Sequence, residues 1–407
     1  MNSDDDAGGM VKHRLLVITN LFGYPWEPTR AMFNQQQFGR LAEHFDLKVL
    51  VAVPWPNALR NLRAYWHARR DARVDWPYAD YFIYWYPPGF GRSLHVPFFF
   101  LSVLLQRFGT IFFKRWDCML GSWAYPDAIA TAWLGKLART PVVAKVHGTD
   151  INSYGNMRQR RWQLRRGLNL CHSVVAVSRP LAVRLAALGV AAERIHTVFN
   201  GVDLELFQPR SRASARAALG ISDSAKVILF VGNLLETKGC HEVFEAFAHI
   251  AHVEPALLLI FVGAGPARAY VERRSAAEGL RERVRFAGRV PHQALPAWFS
   301  ASDLLCLPSH NEGLPNVILE AMSCGIPVVA TRVGGIPEAL PDFAGVLVQP
   351  KDPAALVQAL REGLARNWDR ERILAHAGTF DWAMNVRQMC AVVRAAALAD
   401  GYASFGR

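Results

Sequence analysis

A chain of 407 residues with 51% hydrophobic and 20% charged content is too long for one ordinary core and too apolar for disorder. Six cysteines (Cys118, Cys171, Cys240, Cys306, Cys324, Cys390) form no C-x-x-C pair, which argues against a disulfide scaffold and for reduced, buried thiols in a cytoplasmic setting. The net charge of +12 suits negatively charged partners: nucleic acid, an anionic membrane face or phosphorylated small molecules.

The start, MNSDDDAGGMVKHRLLVI, lacks the basic, apolar and small-residue order of a signal peptide, so residues 1–12 are expected to be a disordered leader. RLLVIT (14–19) reads as a strand, followed by a loop and a helix over about 31–43, and DLKVLVAV (46–53) as the next strand. VPFFFLSVLLQRFGTIFF (96–113) is broken by Gln106 and Arg107 and falls short of the ~20 apolar residues that span a bilayer. A core helix and an interfacial helix both fit it; nine of the twelve tryptophans precede residue 200, which keeps the interfacial reading open.

CMLGS (118–122) leads into a helix from Pro126, and PVVAKVHG (141–148) is a buried strand with a polar tip. RQRRWQLRR (158–166) holds five arginines and suits a solvated helix face or a surface anchor equally. SVVAVS (173–178) and IHTVFNGV (195–202) are further strands. After a boundary near 204–210 the rhythm restarts with VILFVG (227–232), LLLIFVGAGP (257–266), RVRFAGRV (283–290), LLCLPS (304–309), PVVAT (327–331) and GVLVQ (345–349). This alternation predicts an α/β chain of two doubly wound domains, 13–205 and 206–380, facing across a cleft. In such sheets ligands sit beyond the carboxyl ends of the strands.

HNEGLPNVILEAMSCGIPVVA (310–330) then carries the sharpest signal. LLCLPS feeds a turn, Pro315 is expected at the first helical position, and Gly325 is expected to stop the helix. A helix N-terminus so placed favours a diphosphate, and Gly313 lets a ligand approach the backbone. Glu312 in the turn and Glu320 in the helix are poor phosphate ligands, so both are expected to face hydroxyls, such as those on either side of a sugar diphosphate. Lys238, in NLLETKG, is a candidate phosphate cation, and His147 ends a buried strand on the cleft side. The D-x-D at Asp4 to Asp6 lies in the leader, and there is no P-loop, H-E-x-x-H or G-x-S-x-G, so a metal-free site with no cofactor is expected.

These segments resemble glycosyltransferase family 4, the retaining GT-B glycosyltransferases. SHNEGLPNVILEAMSCGIPVVATRVGGIPE is similar to the family signature, VGNLLETKG to its donor-phosphate loop, and VFNGVDLELFQP to its interdomain connection. YPDAIATAWLGKL with PVVAKVHGTDI resembles the N-domain core, and FDWAMNVRQMCAVV the final helix, which would cross back to the N-domain over 381–407. The resemblance implies that Glu320 holds the nucleotide ribose and Glu312 the donor sugar. It implies a diphosphate on Lys238 and the amides around Asn316 and Val317, with Gly313 and Leu314 in the same loop. Arg289 and Val290 would read the base by backbone, and His147 would contact the donor sugar. Asn233 stands where the family commonly has arginine, and the N-terminal loop has Ala31 near the usual glycine. Arg30 and Asp150 are candidates for the acceptor side.

The reading is a transferase moving a hexose from a nucleotide-diphosphate sugar to a hydroxyl acceptor, a glycan or lipid-linked glycan, at the inner membrane face. The alternatives are a nucleotide-sugar epimerase or a phosphorylase on the same architecture, and a catalytically silent nucleotide-sugar-binding module. Nucleic acid is set aside because the basic cluster is short and no recognition motif accompanies it.

Overall fold

The computed structural model describes residues 12–67, 76–87, 94–152 and 157–399. The leader through residue 11, with its D-x-D, and the residues after 399 lie outside the described residues. The chain divides into two compact units. Among the described residues the first holds 12–176, 184–196 and 386–399, and the second 177–183 and 197–385.

The first unit is built on a seven-stranded sheet of order β3-β2-β1-β4-β5-β6-β7. Its strands are β1 Arg14–Thr19, β2 Asp46–Pro54, β3 Ala79–Tyr84, β4 Cys118–Ser122, β5 Val142–Val146, β6 Ser173–Ala176 and β7 Ile195–Thr197. Every pairing from β3 to β6 is parallel. The main helices are α1 Met32–His44, α2 His95–Phe112, α3 Ile129–Ala138 and α4 Arg158–Leu168. The second unit has a six-stranded sheet of order β10-β9-β8-β11-β12-β13, again parallel throughout. Its strands are β8 Lys226–Val231, β9 Leu257–Val262, β10 Val284–Gly288, β11 Leu304–Leu307, β12 Val328–Thr331 and β13 Gly345–Val348. Here α5 Cys240–Ala251 and α6 Asn316–Ser323 follow β8 and β11; the last helix, α7 Trp382–Leu398, starts in this unit and from Val386 on belongs to the first.

Parallel sheets covered on both faces need strands that are apolar at every position, not alternate ones. That is why Val227, Ile228, Leu229 and Phe230 are all fully buried, as are Leu15, Leu16, Val17 and Ile18. The strand β3 was not anticipated. It is an edge strand, half-buried at Ala79 and Asp80, and Asp80 is held by Lys48 (3.3 Å) and Arg107 (2.8 Å) rather than by apolar packing.

Three expectations need correction. The strand predicted over 195–202 ends at Thr197, and Val202 N–H donates to Phe380 O at 2.8 Å. The helix predicted from Pro126 begins as α-helix at Ile129, after a wide turn over Ala124–Ala128. Pro315 is the N-cap of α6, with extended backbone (φ −75°, ψ 120°), and the first helical residue is Asn316.

Each sheet reverses its strand order once, between β1 and β4 and between β8 and β11. At such a reversal the connections leave in opposite directions and open a crevice at the strands' carboxyl ends.

Candidate active site

In the second unit the loops that follow β8 and β11 flank this reversal, and they are tied together backbone to backbone. The amide of His310 donates to Thr237 O (3.0 Å). Gly239 has φ +78°, and any Cβ there would run into Pro308 O, so this contact requires glycine. A third loop, after β12, locks the turn from the other side: Gly335 N–H donates to Gly313 O (2.6 Å), and a Cβ at Gly334 would strike Glu312 O.

Drawn together this way, Lys238 Nζ lies 2.6 Å from Glu312 Oε1, although 74 residues separate them in sequence. Ser309 Oγ donates to the same carboxylate oxygen at 2.8 Å. The Glu312 side chain is 8% exposed and that of Lys238 30%, so the carboxylate is the buried member of the pair. The two groups that sequence reasoning assigned separately, to sugar and to phosphate, form one ion pair here.

The helix α6 starts beside them. No side chain caps its N-terminus and no carboxylate occupies its first turn. The amides of Asn316 and Val317 precede the first intrahelical bonds, so the positive end of the helix faces the turn uncompensated by side chains. Asn316 Oδ1 accepts from Asn200 Nδ2 at 2.9 Å, which fixes its carboxamide. The helix ends in a Schellman motif, with Gly325 N–H on Met322 O (2.9 Å) and Ile326 N–H on Ala321 O (3.0 Å).

Glu320 is 8% exposed, and its Oε1 lies 3.0 Å from His292 Nε2. The imidazole packs edge-on against Phe207, ring centroids 4.9 Å apart. His292 escaped the sequence reading. His292 belongs to the loop after β10 that also carries Arg289, which is exposed, and Val290, which is half-buried. Leu314 is buried at 5% exposure, whereas Asn233, in the loop after β8, is exposed. That loop is strapped to the one after β9, with Leu234 N–H on Ala264 O at 3.0 Å.

The remaining candidates, Arg30, His147 and Asp150, belong to the first unit. His147 Nε2 lies 3.1 Å from Ser122 Oγ, which in turn meets Asn34 Oδ1 at 3.3 Å. Burial, and next the charge of Lys145, hold the His147 imidazole well below its ordinary pKa, so it is neutral at pH 7. Asp150 is fully buried and accepts from the amides of Ala124 (2.7 Å), Gly148 (2.8 Å), His147 (3.1 Å) and Ile151 (3.1 Å). Burial raises its carboxyl to about 6 against the pull of those amides. Arg30 donates to Asn20 O (3.0 Å) and lies over the Tyr24 ring.

Beneath this cluster Lys145, fully buried on β5, donates to Gln37 Oε1 at 2.7 Å. Burial lowers its pKa to about 7. A folded-state pKa below the unfolded value means that the unfolded chain binds the extra proton between about pH 7 and 10, so stability from this group rises with pH across that window. Measured by urea unfolding at pH 7 and pH 9, the wild type should gain on Lys145→Met by up to ~1.4 kcal/mol per pH unit. A pH-independent difference between the two would contradict a buried, titrating lysine.

Among the described residues no group of three or more His, Cys, Asp or Glu side chains is gathered as metal ligands would be.

Two family models match the chain: Glycosyltransferase Family 4 over residues 39–206, and Glycosyl transferases group 1 over 211–378. A D-inositol 3-phosphate glycosyltransferase of Catenulispora acidiphila is 38% identical over 52% of this chain and 54% of its own length. The chain thus spans about half the length of the first such relatives. A putative teichuronic acid biosynthesis glycosyltransferase of Bacillus subtilis, TuaC, is 24% identical over 85% of this chain and 88% of its own. Among solved structures, Anabaena HepE in complex with UDP-glucose superposes with a TM-score of 0.70 at 20% identity, covering 94% of this chain and 100% of that one. A sucrose-phosphate synthase from Thermosynechococcus elongatus gives 0.75 at 20% identity, covering 94% and 99%.

Proposed function

Because the chain belongs to glycosyltransferase family 4 and has the GT-B fold, we propose that it is a retaining hexosyltransferase. Its donor is a nucleotide-diphosphate sugar, and its acceptor is a hydroxyl of a glycan or lipid-linked glycan in cell-surface polysaccharide or glycolipid synthesis. The observation that carries this reading is the meeting of Lys238, Glu312 and the uncapped start of α6 at the strand-order reversal of the second sheet.

A diphosphate placed there takes the α6 amides and the Lys238 ammonium, and Glu320 takes the ribose hydroxyls. Glu312, 2.6 Å from the Lys238 Nζ, accepts from a sugar hydroxyl. As the bond from anomeric carbon to phosphate oxygen breaks, negative charge grows on the diphosphate. The same cation and amides then bind more strongly, which is the differential binding that lowers a barrier. The acceptor oxygen attacks from the face that the phosphate leaves, and its proton passes to the departing phosphate oxygen, so configuration is kept. His147, neutral, offers the donor sugar a hydrogen bond without a competing charge. Asp150 acts through the backbone, holding the 147–151 turn. Lys238 and helix amides supply the positive charge, so no metal is required.

Proton NMR of the product formed in the presence of EDTA tests this directly. The expected result is turnover with the donor's anomeric configuration retained. An inverted product, or turnover that needs a divalent cation, would overturn it. A donor converted without any acceptor would instead identify an epimerase.

A further inference from the structure

The helix α2 packs one face on the sheet and leaves the other bare. Val96, Phe99, Val103 and Ile111 are at most 2% exposed. The same face is pinned to β3 by polar groups: Gln106 Nε2 donates to Ile83 O (2.6 Å), and Arg107 donates to Tyr81 O (2.6 Å) and Asp80 (2.8 Å). On the opposite face Leu94 (50%), Leu101 (45%), Leu105 (80%) and Phe108 (49%) stand seven, four and three residues apart, and Phe113 (82%) extends them past the helix end. Leu94 to Leu105 make a stripe of about 16 Å at helical spacing. Past the break in helical geometry at Arg107 (φ −133°, ψ 21°), Phe108 and Phe113 continue the exposed apolar side. Soluble monomers rarely leave an apolar strip of that length facing water.

By length and composition α2 is the one helix among the described residues able to cross a membrane. Its pinned face rules out crossing, because leaving the sheet would strip Gln106, Arg107 and Asp80 of their partners. A helix anchored this way can only lie along a surface.

What that surface is follows from the charge at the stripe's end. Phe113, Lys114, Arg115 and Trp116 line a groove of about 900 Å³ at the amino ends of β1, β2 and β3. Four cations, Arg14, Lys48, Lys114 and Arg115, face it against two carboxylates, Asp46 and Asp80. Both carboxylates are already engaged, Asp46 with Arg14 (3.6 Å) and Asp80 with Lys48 and Arg107. Among the described residues Lys114 and Arg115 make no ion pair and are exposed.

We propose that this face docks the protein on an anionic bilayer, the α2 stripe seated in the interface and the groove taking an anionic phospholipid headgroup. Apolar seating and headgroup attraction act together, and neither alone holds a protein firmly. The surface rests on the reading above, since it brings the enzyme to a lipid-linked acceptor, but it is tested apart from turnover.

The experiment is vesicle co-sedimentation at low salt with the full chain. Vesicles of phosphatidylcholine alone are compared with phosphatidylglycerol–phosphatidylcholine mixtures. The wild type is expected on the anionic vesicles only. Lys114→Glu with Arg115→Glu should weaken binding roughly tenfold or more, and Leu105→Ser with Phe108→Ser should abolish the fraction that resists salt. Lys114→Arg with Arg115→Lys should bind as the wild type does. Stabilisation by donor nucleotide, read on each variant, reports that it is folded, and also lets donor binding fail or succeed independently of vesicle binding. Equal binding by the charge-reversed variant would overturn the proposal. So would displacement from vesicles by inorganic phosphate alone, which would make the groove a free-anion site. A dimer in solution that Leu105→Ser dissociates would likewise overturn it, since a second copy would then cover the stripe.

Discussion

Glu320→Ala is expected to remove the thermal stabilisation that the donor's nucleoside diphosphate gives the wild type. At about 100 times its dissociation constant a ligand adds ~2.7 kcal/mol, a shift of roughly a few degrees for domains of this size. Hydrogen bonds to a charged acceptor contribute ~1.5–3 kcal/mol, so losing the carboxylate takes away most of that shift. Glu320→Gln retains shape and an acceptor oxygen and should fall between the two. His292, 3.0 Å from the same carboxylate, is expected to act only through it. His292→Ala should therefore weaken nucleotide binding in the wild type and change nothing further in a Glu320→Ala background. Additive effects in that cycle would show that His292 touches the ligand independently.

Lys238→Ala is expected to lower kcat by ~10²–10³, the usual loss when one stabiliser of developing charge is removed. Stability should fall as well, because the variant leaves the largely buried Glu312 carboxylate with its cation gone. The double substitution Lys238→Met with Glu312→Gln separates the two effects. It removes the charge imbalance, so chemical denaturation should recover toward wild type, while turnover stays at or below the Lys238→Ala level. Recovery of turnover along with stability would assign the pair a structural role only. Lys238→Arg keeps the charge on a different geometry and should retain part of the rate.

What could be read ahead of the structure was whatever local chemistry dictates. Central strands buried on both faces are unbroken apolar runs, so β1, β2, β8, β9 and β11 were found within a residue or two. The loops at their carboxyl ends followed from the sheet rule. The edge strand β3 was not found, because Asp80 and its ion pairs break the apolar pattern that marks a covered strand. Pro315 was placed one residue too deep, since proline suits the N-cap's extended backbone as well as the first helical turn.

Tertiary pairings were beyond reach in another way. Nothing local to Lys238 announces Glu312, and His292 lies 28 residues before Glu320 in an unremarkable turn. Gly334 and Gly335 lie in the RVGGIPE stretch, yet their use, allowing one loop to press on the backbone of another, needs both loops in view. Lys145 read as an ordinary position in an apolar strand, and only the fold shows it enclosed beneath Phe33 with Gln37 as its hydrogen-bond acceptor.

The most direct test of the whole account is calorimetric titration of the wild type, in EDTA, with UDP, GDP, ADP and the corresponding diphosphate sugars. The account predicts saturable, one-to-one binding for nucleotides of one base, with the chelator making no difference. Failure of every nucleotide to bind would leave the Lys238–Glu312 pair and the start of α6 as scaffold, and would contradict the assignment of a donor site to the second unit.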